Sequence, residues 1–435
     1  MMRKVLTVNA LIHLTTRLDE TQARLRMLDL YYAGEQPAAF LPPEAREELG
    51  RNFGTIAVNL PRTIVGALAE RLRPTGFTGL DVAESWARND LDQRAGIVHR
   101  EALCLGRSAV IVWGDGAGNA TVTAESAHQV AVQRDPVTGT VTAAVKRWVA
   151  DGHAWASLFT PTEVIVHRSK ARVADPAALP ATGWDVYETH NNPLRVVPVV
   201  PFVNSDRLRD HDGRSAFADA IPLVDGLNKL LLDLLISSEN YSKPRRFATG
   251  VTVAEDDEGN PINPFPPGDR MMIEESHEAR FGSLPASDLA SYQAAVAVLT
   301  QQLRTVTGLP SHYLGIESSQ PPSADALRAD EAGLTARVEA VQQSFGPSWE
   351  EVARLIHAVE NGTDPRALHP RVVWADPATR SIAQSADAAV KLFAAGLLPA
   401  THALARLGYT SEEIEQINTA RRAEALDRLV MGGEG

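Results

Sequence analysis

Apolar positions along the chain alternate between a helical period and a period of two, and each switch marks an element. In residues 15–33, Leu18, Leu25, Leu28 and Tyr32 recur at helical spacing behind Thr15 or Thr16 as N-cap, and Gly34 supplies the stop. A connection through Pro37, Pro42 and Pro43 leads to a second amphipathic helix at 56–71, closed by Pro74 and Gly76. From about residue 108 the period shortens. Residues 109–113 and 120–123 flank the glycine-rich turn at 114–118 and predict a β-hairpin, and 130–132 and 141–149 flank a second turn at 135–139. Further strands are predicted at 155–159 and 164–167, making 108–203 a β-rich region. The run 192–204 carries prolines at Pro193, Pro198 and Pro201, which lack ladder donors, so it suits an edge or crossing strand.

The helical period then returns. Residues 217–241 place Leu223, Val224, Leu227, Leu230, Leu231, Leu234 and Leu235 among polar positions. In 286–307 the apolar positions Leu289, Tyr292, Val296, Leu299, Leu303 and Val306 step 3, 4, 3, 4, 3, the seam of a helix that packs on another helix. The two helices are predicted antiparallel, with 243–285 as a small lobe at their far end. That lobe contains Arg245 and Arg246, the acidic run Glu255, Asp256, Asp257, Glu258, a proline cluster at 261–267 and a predicted strand at 271–274. Gly308 and Pro310 end the second helix. A loop at 309–322 follows, with Glu317 as its single formal charge. A third helix is predicted from a Ser323 N-cap to about Asn361, interrupted and kinked at Gly346 and Pro347. Short helices at 382–395, 399–407 and 411–428 complete the chain, the last opening on a capping box at Thr410 to Glu413.

Composition narrows the classes. A chain of 435 residues with 44% hydrophobic and 22% charged residues has the balance of a folded, multi-region protein. No apolar run approaches the ~18 residues of a membrane helix, so no membrane partner is expected. The N-terminal apolar stretch, broken by Asn9 and His13 with no small-residue cleavage site, is not expected to be a signal peptide. Cys104 is the only cysteine, which excludes an intramolecular disulfide and a multi-cysteine zinc site, and its apolar neighbours predict a buried, inert thiol. The net charge of −12 argues against tight phosphate gripping, but not against a channel through which a polyanion slides.

The catalytic motifs are missing or broken. Gly-Lys occurs nowhere, so the phosphate-binding loop of an ATP-driven motor is absent, and the glycines at 114, 116 and 118 read as a turn because no helix follows them. His277-Glu278-Ala279-Arg280-Phe281 begins like a zinc-protease motif and lacks the second histidine, and no Gly-x-Ser-x-Gly elbow occurs. The acidic pairs Glu274-Glu275 and Glu412-Glu413, like 255–258, read as solvated surface; a carboxylate-metal nuclease is the alternative they leave open. No enzyme, metal or cofactor is expected.

The order helix, lobe, helix, loop, long helix and helical C-terminus, on an α+β chain that is mainly helical, resembles the portal proteins of tailed double-stranded DNA phages, in the form found in actinobacterial siphophages. The similarity runs from about 15 to 420. It is carried by Leu30-Tyr31-Tyr32-Ala33-Gly34-Glu35, by 59–71 with Leu68-Ala69-Glu70-Arg71-Leu72, by 192–204, and by Val306-Thr307-Gly308-Leu309-Pro310-Ser311-His312-Tyr313-Leu314-Gly315. The resemblance implies a wing at 1–215, stem helices at 216–242 and 286–307, a clip at 243–285, a tunnel loop at 308–322, a wing helix at 323–375 and a crown at 376–435. It implies a ring of about twelve subunits at one capsid vertex, with double-stranded DNA passing through without sequence specificity. The expected partners are the terminase large subunit, the major capsid and scaffolding proteins, and head-completion or adaptor proteins. Leu309, Ser311, His312, Tyr313, Glu317, Ser318, Ser319 and Gln320 would line the channel. Arg245, Arg246, Glu255, Asp256, Asp257 and Glu258 would meet the motor and connector. Leu227, Leu231, Leu234, Leu289, Tyr292, Val296, Leu299 and Leu303 would pack the stem. A different head structural or adaptor protein is the second reading.

Overall fold

A β-sandwich organises the N-terminal half of the chain, and helices cover both of its faces. The computed structural model describes residues 2–37, 39, 57–173, 179–180, 182–242, 246–250, 278–283, 290–316, 323–378, 382–407, 409 and 411–431. They belong to two compact units, Met1–Pro322 with Gly333–Asp376, and Ser323–Ala332 with Pro377–Gly435.

In the first unit, helix α1 (Met2–Ala33) and α2 (Leu60–Ala69) precede strand β1 (Pro74–Thr78), then α3 (Ala83–Arg88) and α4 (Leu91–Leu105). Strands β2 (Arg107–Gly114), β3 (Ala120–Ser126), β4 (Val130–Arg134), β5 (Val141–Ala150), β6 (His153–Phe159), β7 (Glu163–Arg172), β8 (Trp184–Asn191) and β9 (Val199–Val203) follow. They form a three-stranded antiparallel sheet, β3-β2-β9, and a five-stranded one, β4-β5-β6-β7-β8. Period-two alternation sorts their side chains into three layers. Ala109, Ile111 and Val199 from the small sheet meet Ala144, Phe159 and Val164 from the large one. The opposite face of the large sheet, with Ala143, Val145, Ala156 and Leu158, is covered by Leu11, Leu14 and Leu18 of α1. The opposite face of the small sheet, with Val110, Val112, Val122 and Phe202, enters the main core.

Both hairpins form with the expected pairing, Gly114 opposite Ala120 and Val130 opposite Lys146. The proline-bearing run supplies the edge strand β9, where Pro201 lies opposite Ala109. An unpaired edge is a template for unwanted strand pairing, and this chain closes several with its own side chains. Asn89 and Arg94 bond β3 at Ala120 and Val122. Ser344 and Ser348 donate to the β9 carbonyls of Val203 and Pro201 at 3.0 and 2.8 Å. Arg17 donates to the Val132 carbonyl of β4 at 3.0 Å.

Two helix boundaries depart from expectation. Thr15 is no N-cap: the helix begins far upstream, and the buried Thr15 hydroxyl donates to the Leu11 carbonyl at 2.9 Å. The second helix is shorter than 56–71, starting behind an Asn59 cap that accepts from the Arg62 N–H at 3.2 Å. The chain beyond it is drawn into β1, which pairs with β12 (Arg371–Trp374), a partner some 300 residues away that no local pattern announces.

The helical half of this unit contains α5 (Ile221–Ser242), strands β10 (Arg246–Thr249) and β11 (Arg280–Ser283), α6 (Ala290–Thr307) and most of α7 (Ala324–Asn361). Helix α7 is the main support. Leu334, Val338, Phe345, Trp349, Val352 and Ile356 are buried at helical spacing in the main core. It is continuous through Gly346 and Pro347, so the expected interruption does not occur: Pro347 lies on the exposed side, and the flanking serines hold β9. Cys104 is buried within α4, and burial raises its thiol well above the ordinary range, which keeps it protonated and unreactive.

The second unit holds the first turns of α7, with Ser323 capping the Ala326 N–H at 3.2 Å as expected. It also holds α8 (Ile382–Ala394), α9 (Ala400–Arg406) and α10 (Ser411–Met431), close to the predicted helices.

Candidate functional site: the paired helices and the loop that follows

Helices α5 and α6 form an antiparallel pair that continues into the antiparallel ladder of β10 and β11, where Arg246 pairs with Ser283 and Thr249 with Arg280. One hydrogen bond, between Ser237 Oγ and Tyr292 Oη at 3.0 Å, fixes the register at one end. At the other, Leu299 Cδ1 lies over Gly226, 3.4 Å from where a Cβ would stand, which is ordinary contact distance. Lys229 and Asp233 form an i,i+4 ion pair along α5.

Leu227 and Leu303 are buried in the main core, and Leu231, Val296 and Leu299 pack against it. Leu234 and Tyr292 are half-buried, and Leu289 lies outside the described residues. Pairing leaves Leu235 and Val298 exposed, the latter by 61%. The body anchors α5 through Tyr31, whose phenol bonds both Asp225 carboxylate oxygens at 2.9 Å. Burial first, and then this carboxylate, push the phenol up to about 12. The local sequence around Tyr31 carries no sign of this role, because the partner lies 194 positions away.

The described part of the stretch after α6, residues 308–316, is turned back and packed. Gly308 turns the chain at φ +64°, and Arg337 of α7 donates to the Val306 carbonyl at 2.7 Å, satisfying a free acceptor at the end of α6. Ser311–Leu314 form a 3-10 turn closed by Gly315. Leu309, expected in the channel, is only 2% exposed and belongs to the core, so its apolar side chain serves packing. Tyr313 and Leu314 pack against that core, Ser311 is half-buried, and His312 is exposed, its ring 4.6 Å from that of Tyr313. Glu317, Ser318, Ser319 and Gln320 lie outside the described residues. So do Arg245, Glu255, Asp256, Asp257 and Glu258; Arg246 is described only as backbone, at the start of β10.

Behind this region stands an aromatic centre. His99 of α4, fully buried, lies parallel to Phe345 at 5.5 Å between centroids and near Phe202, Trp349 and Trp374. Its Nε2 accepts from Trp349 Nε1 at 2.8 Å, so this nitrogen carries no proton. Desolvation lowers its pKa from 6.5 to about 3, with Arg100 adding to the effect and the Leu72 carbonyl opposing it. Although Leu72 favours the protonated ring, Nδ1 makes no bond within hydrogen-bond geometry. A buried histidine is often read as chemistry; here it joins α4, β9, α7 and β12.

Among the described residues no group of three or more His, Cys, Asp and Glu stands together as a metal site, and no helix is long and apolar enough to cross a membrane. The chain belongs to the phage portal proteins of the SPP1 Gp6-like family, whose pattern it matches over residues 12–426. It is 28% identical over 403 residues to the portal protein of Mycobacterium phage L5, covering 85% of this chain and 79% of the relative. To the portal protein of Mycobacterium phage D29 it is 28% identical over 395 residues, with the same coverage of 85% and 79%. Among solved structures it is similar to a chain in the virion of a native gene transfer agent particle, at TM-score 0.46 and 12% identity, covering 89% of this chain and 99% of that one. It is also similar to a chain in the neck of the native particle computed with C12 symmetry, at TM-score 0.44 and 14% identity, covering 88% and 99%.

Proposed function

We propose that this chain is the subunit of a ring of about twelve copies at one capsid vertex, through which double-stranded DNA enters and leaves the head without sequence recognition. The reading rests on family membership. The observation that carries its physical side is the antiparallel pair α5 and α6, which leaves Leu235 and Val298 uncovered where a neighbouring copy would pack. In this reading 216–242 and 286–307 are the stem, 243–285 is the clip that meets the terminase large subunit and later the head-completion or adaptor proteins, and 376–435 is the crown. Residues 1–215 and 323–375 make the wing, and major capsid and scaffolding proteins surround the ring.

The segment 308–322, apart from the buried Leu309 and the core-packed Tyr313 and Leu314, faces the DNA. It contains no lysine or arginine, which suits sliding, because every added phosphate pairing steepens salt dependence and slows release. Energy for packaging comes from the motor, since the chain lacks a phosphate-binding loop. Electron microscopy and sedimentation of the purified full-length chain test the reading. Rings with a central hole are expected; monomers or closed shells under every assembly condition overturn it.

A further inference from the structure

Side chains of the same chain reach the outer edges of β3, β9 and β4, and the outer strand β8 of the large sheet carries the exposed Val186 and Tyr187. At its C-terminal end β8 forms one wall of a cleft of about 690 Å³. The other walls come from the β2–β3 turn and the end of α7, and the lining includes Trp113, Gly116, His190, Leu194, Val359 and Thr363. There is open space around its glycine turn, since a Cβ on Gly116 or Gly118 meets nothing within 4 Å.

At the opposite end of the same strands the chain carries a projecting tip. Leu208 is 96% exposed between the exposed Arg207 and Arg209. The tip is held in shape by the Arg207 carbonyl, which accepts from Ser205 Oγ at 2.9 Å and from the Asp210 N–H at 3.1 Å. It directly follows β9, with the Asn204 N–H on the Gly106 carbonyl at 2.8 Å, where Arg107 pairs with Val203. The cleft lies beyond Gly114, at the other end of β2. Eight residues at ~3.3 Å each separate tip and cleft by roughly 25 Å.

We propose that the Leu208 tip of one copy seats in the cleft at the far end of β2 in the next copy, as a head-to-tail contact between neighbouring subunits. This presupposes the ring. A single exposed leucine is ordinary, but a head-to-tail ring needs two unlike, complementary surfaces on each subunit, and these two stand apart at opposite ends of β2. The apolar members Trp113, Leu194 and Val359 receive Leu208. Charge is complementary as well. On the tip, Arg207 and Arg209 flank Leu208 directly, with the exposed Asp206 beside them and one carboxylate oxygen of Asp210 buried. On the receiving side, Asp115, Glu188 and Asp364 are sequence neighbours of lining residues, as is Arg195, whose carbonyl accepts from Arg366. The C-terminal end of α7 adds the negative end of its dipole.

Cysteines placed at the two surfaces report the contact directly, because the native Cys104 is buried. In full-length protein carrying Leu208→Cys and Thr363→Cys, mild oxidation should give a ladder of covalent oligomers extending past the dimer under denaturing electrophoresis. Either single variant should stop at the dimer. Both positions are exposed, and ring formation by the double variant is checked by microscopy before oxidation. Rings that give no ladder, or a single variant that gives one, overturn the contact while the ring reading stands. Absence of rings from wild type and variant alike removes the ring reading and the contact with it.

Discussion

Acidification should weaken this fold through one residue. His99 is fully buried, its Nε2 is committed to the Trp349 indole, and its ring lies against Phe345, so a proton on it must displace these contacts in an apolar surround. The folded pKa of about 3 lies below the ordinary 6.5 of the unfolded chain. Above pH 6.5 neither state binds the proton, and the histidine does not make stability depend on pH. Between 6.5 and 3 the unfolded state alone binds it, so stability falls by about 1.4 kcal/mol per pH unit, levelling only below 3. From pH 7.5 to pH 4.5 the loss comes to about 2.7 kcal/mol.

The carboxylates also titrate in this window, so the readout is a difference. His99→Gln retains an acceptor for Trp349 and does not titrate. Urea unfolding of both proteins at pH 7.5 and 4.5, with equal oligomeric states confirmed by sedimentation, should show the wild type's advantage over the variant shrinking by about 2.7 kcal/mol on acidification. Parallel behaviour of the two proteins would mean that His99 charges in place, and the account of the aromatic centre would be wrong.

Two further expectations follow from close approaches. At Gly213, with φ +73°, a Cβ would lie 1.9 Å from the Gly106 carbonyl oxygen; Gly213→Ala should cost roughly 4 kcal/mol or more and yield little folded protein. Gly116→Ala, at φ +82° with nothing within 4 Å, should cost only about 1–2 kcal/mol; equal melting temperatures for the two variants would refute the steric argument. After α6, removing residues 315–320 while keeping the packed Tyr313 and Leu314 should leave rings intact and reduce DNA packaging in an in vitro assay with the motor. Loss of rings would show that this stretch holds the assembly together.

How much the chain announced in advance depends on how local each feature is. The β2–β3 hairpin, the Gly308 turn and the Ser323 cap are written in neighbouring residues, and all stand where the pattern placed them. Thr15 was misread because a hydroxyl that caps a helix start also bonds backward within a helix, and only the upstream turns tell the two apart. Features made by distant partners gave no local sign: β1 on β12, Tyr31 on Asp225, and Arg337 on the end of α6.

The same distinction applies to the loop after α6. Its lack of basic residues is legible in sequence and led to a channel-facing reading of the whole stretch. Its division into an anchored part and a remainder is not legible, because Leu309 and Tyr313 are apolar in either case and only the core behind them decides their role. A contact surface for sliding DNA needs both parts, since side chains that meet a moving polyanion must not be those that hold the loop to its support. Leu309, Tyr313 and Leu314 fix the root of the loop, so the channel-facing role proposed for this stretch falls to His312 and to the uncharged and acidic residues beyond Gly315.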